Sequence, residues 1–235
     1  MIFKDLNPQT YRQYNKFITI LCPAAKRHDR TIDFLNSIQQ KTKDHSRVSV
    51  VVITDFNLPE DSANIINYVT KNHVSFELYL ITRQYDSHLN GSYYNLANLI
   101  SESYYSWVLG NDIVIETQDW DQVLYDSLSY TIPQIDQDSR YYYVMINDDT
   151  HNHMGKIHSQ GSCFPIISNN YSYKNRGPMP NDSAAWGSDI QLYHSIKSNP
   201  KFEIIDVINE VAITHYCVHN GKSQRDDVNF GVERK

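Results

Sequence analysis

The sequence predicts an α/β fold in which a doubly wound, mixed sheet carries helices on both faces. In the first half, apolar runs of strand length alternate with helical patterns, and the connections between them are short. Residues 48–53 form a β-branched run, which is typical of a strand covered on both faces. In sheets of this kind, ligands bind beyond the carboxyl ends of the strands.

The first three elements are a strand, a helix and a second strand. Residues 17–22 form an apolar run that ends at a proline, which predicts a buried strand. In residues 31–40 the apolar positions recur every three residues, which predicts a helix. The strand at 48–53 then ends on Asp55, so this carboxylate is expected at the binding edge of the sheet.

The first half continues with two further helix-strand units. The predicted elements are a helix at 59–69, with Pro59 in its first turn, a strand at 76–81, a helix at 94–100 and a strand at 107–109. Arg83 follows the third strand and Asp112 follows the fourth, as Asp55 follows the second. We therefore expect Asp55, Arg83 and Asp112 to line one crevice.

The second half alternates less regularly than the first. It predicts a helix at 120–128, a strand at 141–146, a helix at 189–196 and strands at 202–207 and 211–216. The segment between the strand at 141–146 and the helix at 189–196 is rich in Pro and Gly and is predicted to be mainly loop. Residues 221–235 form a polar tail.

Composition excludes several classes of function. The 235 residues carry a formal net charge of −6, which disfavours binding driven by nucleic-acid phosphates. The three cysteines are far apart and form no CxxC motif, as expected for reduced thiols in a cytoplasmic protein. The N-terminus has no signal-peptide core, and the longest apolar runs are too short to span a membrane.

The sheet carries no glycine-rich phosphate loop, because neither GxGxxG nor GxxxxGK[ST] occurs in the sequence. A nucleotide phosphate would then need another counter-charge, and a divalent metal held by carboxylates commonly supplies it. Asp112 is a candidate ligand, although a strand-end aspartate can also cap a turn. Asp55 could accept hydrogen bonds from a nucleoside or cap the turn before Pro59.

Four segments, taken in order, resemble those of GT-A-fold glycosyltransferases, the nucleotide-sugar-dependent class. They are YNLANLI from Tyr94, LGNDIVIETQDWD from Leu109, AAWGSDIQLY from Ala184 and VHNGKSQRDDVN from Val218. The overall pattern is similar to family 2, and the late segments are similar to β-1,4-galactosyltransferases. The second segment departs from the family's metal motif, which usually has two acids around one residue, since Asn111 and Ile113 flank Asp112.

The resemblance implies a Rossmann-like glycosyltransferase domain over 1–235. Its parts would be an N-terminal extension at 1–16, a nucleotide-sugar-binding half at 17–115, an acceptor-side half at 116–220 and the tail. The activity implied is transfer of a hexose or pentose from a nucleoside-diphosphate sugar to a hydroxyl. The acceptor would be a glycan, a protein or a modified nucleobase, the last disfavoured by the acidic balance.

The same resemblance implies roles for particular residues. Asp112 and His219 would hold Mn²⁺ or Mg²⁺, while His215 is expected to be an ordinary strand residue. Asp189 would be the general base if the reaction inverts the anomeric centre, and would position the substrate if it retains it; an ordinary helix N-cap is the alternative. The other implied roles are donor or nucleotide binding, for Asp55, Arg27, Arg83, Asn111 and Lys222, and acceptor stacking, for Trp186.

Three alternative functions stay open at the level of sequence. The run DDTHNH at 148–153 could hold a metal by itself and serve a hydrolase, although a polar loop is the favoured interpretation. A nucleotidyltransferase on a related sheet would need a glycine-rich first loop, which this chain lacks. A non-catalytic sugar- or nucleotide-binding module would bind the donor without turnover.

Overall fold

The computed structural model describes residues 14–24, 28–56, 59–83, 90–180 and 188–216. The strands are β1 (Lys16–Pro23), β2 (Val48–Asp55), β3 (Glu77–Arg83), β4 (Ser103–Val108), β5 (Ile113–Ile115), β6 (Tyr141–Met145), β7 (Ile166–Ser168), β8 (Phe202–Asp206) and β9 (Ile213–His215). Seven of them form one sheet in the order β3-β2-β1-β4-β7-β6-β8, and β5 pairs with β9 in a separate ribbon.

The helices connect these strands and pack on the sheet. They are α1 (His28–Lys41), α2 (Pro59–Asn72), α3 (Asn90–Asn98), α4 (Trp120–Leu128), α5 (Ile132–Asp136), α6 (Ile157–Gln160), α7 (Asn169–Lys174) and α8 (Ser188–Lys197). A search of the described residues for helices with the length and apolarity of a membrane span finds none.

The direction of the strands determines where the polar strand ends meet. Strands β1 to β4 are mutually parallel, β7 runs antiparallel to both β4 and β6, and β6 is parallel to β8. Six of the seven strands therefore run the same way, and their carboxyl ends share one edge. Strand order reverses between β1 and β4, and this switch point is where such sheets bind ligands.

Two apolar layers cover the two faces of the sheet. On one face, Phe34 and Leu35 of α1 pack with Trp120 of α4, and all three are fully buried. On the other face, Tyr94 of α3 packs in a layer with Leu192 of α8. Each large apolar side chain buried in this way contributes about 1.5–3 kcal/mol. The predicted α/β fold, with a doubly wound mixed sheet and helices on both faces, is confirmed.

The second half differs from the sequence prediction in its details. Strand β4 begins at Ser103 rather than at 107, and the segment predicted to be mainly loop contains β7 and α7. The apolar run at 211–216 forms only the three-residue β9, which pairs with β5 instead of joining the main sheet. Residues that the sequence presented as polar loop are thus part of the buried framework.

Candidate active site

The turn after β4 brings two polar side chains to the switch point. Asn111 and Asp112 are both buried, with 6% and 8% of their surface exposed. A Cβ at Gly110 would lie 2.6 Å from Asp112 Oδ1, so the missing side chain leaves room for the carboxylate to fold back. Asn111 Nδ2 donates to Thr31 Oγ1 at 3.1 Å, which fixes the amide on α1.

Asp112 faces a histidine that arrives from the end of the described chain. Because β9 pairs with β5, His215 lies opposite Ile113, and His215 Nε2 is 3.7 Å from Asp112 Oδ2. His215 Nδ1 lies 2.8 Å from Thr150 Oγ1, and the ring of Phe164 packs edge-on at 4.8 Å. The imidazole is therefore a hydrogen-bonded strand residue, as the sequence predicted, and it also directs Nε2 towards Asp112.

The Asp112–His215 pair has the chemistry of a divalent-cation site. Two ligand bonds of about 2.1 Å each can span the gap between the carboxylate oxygen and the ring nitrogen. Metal-binding histidines usually engage their other ring nitrogen in a hydrogen bond, as His215 does with Thr150. Gly110 leaves room for the Asp112 carboxylate, and Thr150 orients the His215 ring. The residues present therefore fit a divalent metal.

An open pocket adjoins this pair. It is lined by Arg30, Asp33, Asn111, Asp112, Ile113, Val114 and Tyr216. Arg30 donates to the Tyr216 carbonyl at 3.2 Å and brings a positive charge to the pocket wall. Sequence reasoning named Arg27 instead of Arg30, although both belong to the basic cluster at 26–30, which was the signal that could have found it.

Asp55 and Arg83 lie side by side at the ends of β2 and β3, where they are register partners. Tyr93 on α3 joins them, because its hydroxyl donates to Asp55 Oδ1 at 3.0 Å and its ring lies 4.2 Å from the Arg83 guanidinium. Strand β1 separates Asp55 from Asp112. A ligand that touches both must span the ends of three strands, which is about 10 Å.

A second pair of histidine and aspartate lies at the same edge. His151 Nε2 is 3.8 Å from Asp189 Oδ2, and Asp189 sits in the first turn of α8. His151 Nδ1 is 2.6 Å from the Gly161 carbonyl, which can only accept, so Nδ1 carries the proton. When the ring is neutral, Nε2 then presents a lone pair towards Asp189.

Burial raises the pKa of Asp189, and the nearby His151, backbone N–H groups and Cys163 oppose the shift without cancelling it. A carboxylate with a raised pKa holds a proton more readily than an exposed one, which suits a general base. Burial also raises the pKa of the Tyr94 hydroxyl, and Cys22, Asp112 and Asp189 raise it further.

The run DDTHNH divides into a buried and an exposed part. Asp148, Thr150 and His151 are buried, whereas Asn152 and His153 are exposed, as expected for a polar loop. Ligand atoms of Asp148, His151 and Cys163 lie within 4.8 Å of one another, a donor set that could suit zinc. However, the Asp148 carboxylate already accepts three backbone N–H bonds, from Thr150, His151 and Cys163, so it also serves as the centre of a turn.

Four of the predicted site residues lie outside the described part of the chain. They are Arg27, Trp186, His219 and Lys222. The remaining five predicted residues all lie at the carboxyl edge of the sheet: Asp55, Arg83, Asn111, Asp112 and Asp189. Sequence reasoning did not assign site roles to Arg30 and Thr150, and it treated His151 as part of a loop.

Comparison with known proteins identifies the fold. A scan of protein-family models and a search of curated sequences find no match. Among solved structures, S. aureus TarS 1–349 matches with 13% identity and a TM-score of 0.60, over 85% of this chain and 60% of that one. TarS 1–349 in complex with UDP-GlcNAc matches at 13% and 0.60, over 90% and 59%.

A third structure is the mannosyltransferase PcManGT from Pyrobaculum calidifontis in complex with GDP-Man and Mn²⁺. It matches with 12% identity and a TM-score of 0.65, over 88% of this chain and 58% of that one. The chain thus spans about 60% of the length of these structures. These likenesses show that the chain has a GT-A-like glycosyltransferase fold.

Proposed function

We propose that the protein is a metal-dependent glycosyltransferase that moves a sugar from a nucleoside-diphosphate sugar to an acceptor hydroxyl. One observation carries the proposal: two histidine–aspartate pairs meet at the ligand-binding edge of a GT-A-like sheet. The Asp112–His215 pair suits a divalent cation, and the His151–Asp189 pair contains a partly buried carboxylate with a raised pKa. A metal-dependent, inverting glycosyl transfer would use both kinds of group, the cation for the leaving diphosphate and the carboxylate for the attacking hydroxyl.

The donor would lie across the ends of β1, β2 and β4. Asp55 would accept hydrogen bonds from the nucleoside, and Arg30, with Arg27, Arg83 and Lys222, would supply positive charge near the phosphates. Asp112, Asn111 and His215, together with His219, would hold Mn²⁺ or Mg²⁺. When bound, the cation would neutralise charge that develops on the departing diphosphate.

Asp189 would act on the acceptor. In an inverting reaction its carboxylate takes the proton of the attacking hydroxyl, and burial favours this by raising its pKa. In a retaining reaction the same carboxylate would orient the substrate instead. Trp186, three positions earlier in the chain, would offer a flat apolar face to the acceptor, which is a glycan, a protein or a modified nucleobase.

The first experiment identifies the sugar donor. UDP and GDP sugars are the rational starting panel, because the similar structures were solved with UDP-GlcNAc and with GDP-Man. We expect release of nucleoside diphosphate from at least one donor, and more of it with Mn²⁺ than with chelator. A nucleotidyltransferase would release no nucleoside diphosphate from these donors and would instead form pyrophosphate from a nucleoside triphosphate and a sugar phosphate. A binding module would bind the donor without releasing anything.

Two variants test the proposed roles of Asp112 and Asp189. Asp112→Ala should weaken nucleotide-dependent Mn²⁺ binding, and Asp189→Asn should lower turnover by about 10²- to 10⁴-fold with donor binding retained. Asp126→Asn, at an exposed position on α4, is the matched control and should behave as the wild type. The proposal fails if Asp189→Asn turns over donor normally, or if no sugar nucleotide binds to the wild type.

A further inference from the structure

We propose that the buried turn at 148–151 positions both halves of the site, orienting His215 towards Asp112 through Thr150 and holding His151 beside Asp189. The functional part of this inference rests on the proposed glycosyl transfer. It assigns Asp148, Thr150 and His151 as positioning residues. The turn follows β6, whose carboxyl end shares the edge that carries Asp112.

Asp148 makes the turn rigid. Its side chain is fully buried, and its Oδ1 accepts the backbone N–H of Thr150 at 3.0 Å and that of His151 at 2.9 Å. Its Oδ2 accepts the N–H of Cys163 at 2.5 Å, which ties the turn to the segment before β7. Hydrogen bonds to an ionised acceptor are about twice as strong as neutral ones. One carboxylate therefore fixes two successive residues whose side chains serve different pairs.

Thr150 serves the Asp112–His215 pair. Its hydroxyl lies 2.8 Å from His215 Nδ1, and the ring of Phe164 packs edge-on against the same imidazole. This contact sets the rotation of the imidazole about its own axis, so that Nε2 faces Asp112. Without the hydroxyl, the ring can turn within the space that β9 leaves it, and the two candidate ligand atoms lose their alignment.

His151 serves the Asp189 side. Its Nδ1–H donates to the Gly161 carbonyl, and Gly161 adopts φ +78° and ψ −177°, which strongly favours glycine. A Cβ at Gly161 would lie 2.5 Å from the Tyr143 hydroxyl and 2.7 Å from the Tyr193 ring. The carbonyl therefore has a fixed direction, and it holds Nε2 of His151 at 3.8 Å from Asp189.

These contacts make the two effects separable. Thr150→Val keeps the shape but removes the hydroxyl, so it should alter only the Asp112–His215 pair. His151→Gln removes the imidazole and should alter only the Asp189 side. Asp148→Asn keeps the shape but replaces one acceptor oxygen with an amide, so it should alter both. A turn with a merely structural role would instead give three variants that lose stability and change all properties together.

The first experiment needs no ligand and does not depend on the proposed function. Imidazole ¹⁵N chemical shifts report the hydrogen bonds of each histidine. Thr150→Val should shift His215 and leave His151 unchanged, whereas Thr150→Ser, which keeps the hydroxyl, should restore the His215 signal. Asp148→Asn should shift both rings. The controls are His153→Gln, an exposed histidine two residues after the turn, and Thr70→Val on α2, whose hydroxyl donates to Ile66 in its own helix.

The second experiment measures Mn²⁺ affinity in the presence of UDP or GDP, together with the rate of nucleoside-diphosphate release. Loss of an orienting partner typically costs about 10- to 100-fold. We expect Thr150→Val to weaken Mn²⁺ binding on that scale, and His151→Gln to lower kcat with donor KM and Mn²⁺ affinity unchanged.

The outcomes separate the two proposals. If Thr150→Val leaves the His215 shifts and Mn²⁺ affinity as in the wild type, the positioning role of Thr150 is overturned even when the enzyme is active. If Thr150→Val shifts His151 as strongly as His215, the two effects are not separable and the inference fails. If the shifts change as expected while the wild type binds no sugar nucleotide, the positioning of the rings is supported and the glycosyl-transfer proposal fails.

Discussion

At the scale of single residues, the candidate site contains buried and partly buried carboxylates that each have specific partners in the fold. Asp55 is bonded by Tyr93, Asp148 by three backbone N–H groups, and Asp189 lies beside His151. Burying a charge is costly unless partners compensate for it. Asp189 is the case in which compensation is incomplete, since its pKa stays raised. The ionised form of such a residue lowers the free energy of unfolding, although its raised pKa suits proton transfer.

Asp189→Asn should therefore stabilise the protein at neutral pH. The folded pKa of Asp189 is above the unfolded value of 3.8, so between the two the folded state binds more protons and stability falls as pH rises. Asparagine does not ionise, so the variant does not lose this stability as pH rises. Thermal unfolding from pH 4 to pH 8 should show the variant above the wild type at pH 8, with the difference shrinking towards pH 4.

The matched control for this prediction is Asp121→Asn. Asp121 is fully buried, and its two oxygens accept the N–H groups of Lys43 and Asp44 at 2.7 and 2.9 Å. Losing one acceptor should destabilise the fold by about 1–3 kcal/mol. If Asp189→Asn destabilises as Asp121→Asn does, Asp189 acts mainly in the structure of the helix start.

A second residue-scale prediction concerns the histidine that accompanies Asp112. The sequence analysis predicts His219 for this role, and the geometry favours His215, whose Nε2 lies 3.7 Å from the carboxylate. His215→Ala should weaken Mn²⁺ binding in the presence of nucleotide by at least about tenfold. Titration of His215→Ala and His219→Ala in parallel measures both assignments. Wild-type affinity in His215→Ala would exclude it as a ligand.

At the scale of elements, the sequence correctly predicted the strands and helices whose position is determined by a local apolar pattern. Strands β1 to β3 and helices α1 and α2 are apolar or amphipathic at the correct period, and they were found at the predicted places. The start of β4 was missed because Ser103 and Ser106 look like loop residues. In the fold they are fully buried, and Ser106 is hydrogen-bonded to Asn98 and Asn169. A buried polar network of this kind has no local signature.

The candidate site could likewise be predicted only where its residues follow a strand. Asp55, Arg83 and Asp112 lie at or after strand ends, so their place at the carboxyl edge of the sheet could be inferred from the sequence. The contact between His215 and Asp112 could not, because it depends on the three-residue β9 folding back onto β5. Likewise His151 approaches Asp189 only because a turn and the Gly161 carbonyl orient its ring.

Gly161 gives a prediction at this scale. Gly161→Ala places a methyl group against Tyr143 and Tyr193 at a positive φ, whereas Gly155 has φ +66° and a Cβ there would meet nothing within 4 Å. A left-handed φ costs a residue with a side chain about 1–2 kcal/mol, and the backbone of Gly161, with ψ −177°, lies in a region that is more restrictive still. Gly161→Ala should therefore destabilise more than Gly155→Ala and should also lower turnover, as measured by urea unfolding and diphosphate release. Equal unfolding free energies would mean that the two tyrosines relax at little cost.

At the scale of the whole molecule, the carboxyl ends of six strands lie at one edge of the sheet, between the two apolar layers. The backbone closes this edge with hydrogen bonds between neighbouring strand ends, from Leu109 to Leu21, Ala24 to Ile53 and Phe56 to Arg83. The opposite edge carries the connections at 42–47 and 99–102. A donor that lies across the switch point would contact the first edge and leave the second in solvent.

Hydrogen exchange can test this placement over the described chain. At about 100 times its Kd, a bound nucleotide stabilises the folded state by about 2.7 kcal/mol, and local opening at the contacted edge should slow most. With Mn²⁺ and the nucleotide that binds, peptides covering 21–24, 53–56 and 109–112 should gain protection, and those covering 42–47 and 99–102 should gain much less. Asp112→Ala should remove the Mn²⁺-dependent part of the protection at 109–112, because that part requires the cation to be held beside the strand end. Protection of the opposite edge alone would move the binding site away from the switch point, since 42–47 and 53–56 flank the two ends of β2, and 99–102 and 109–112 flank those of β4.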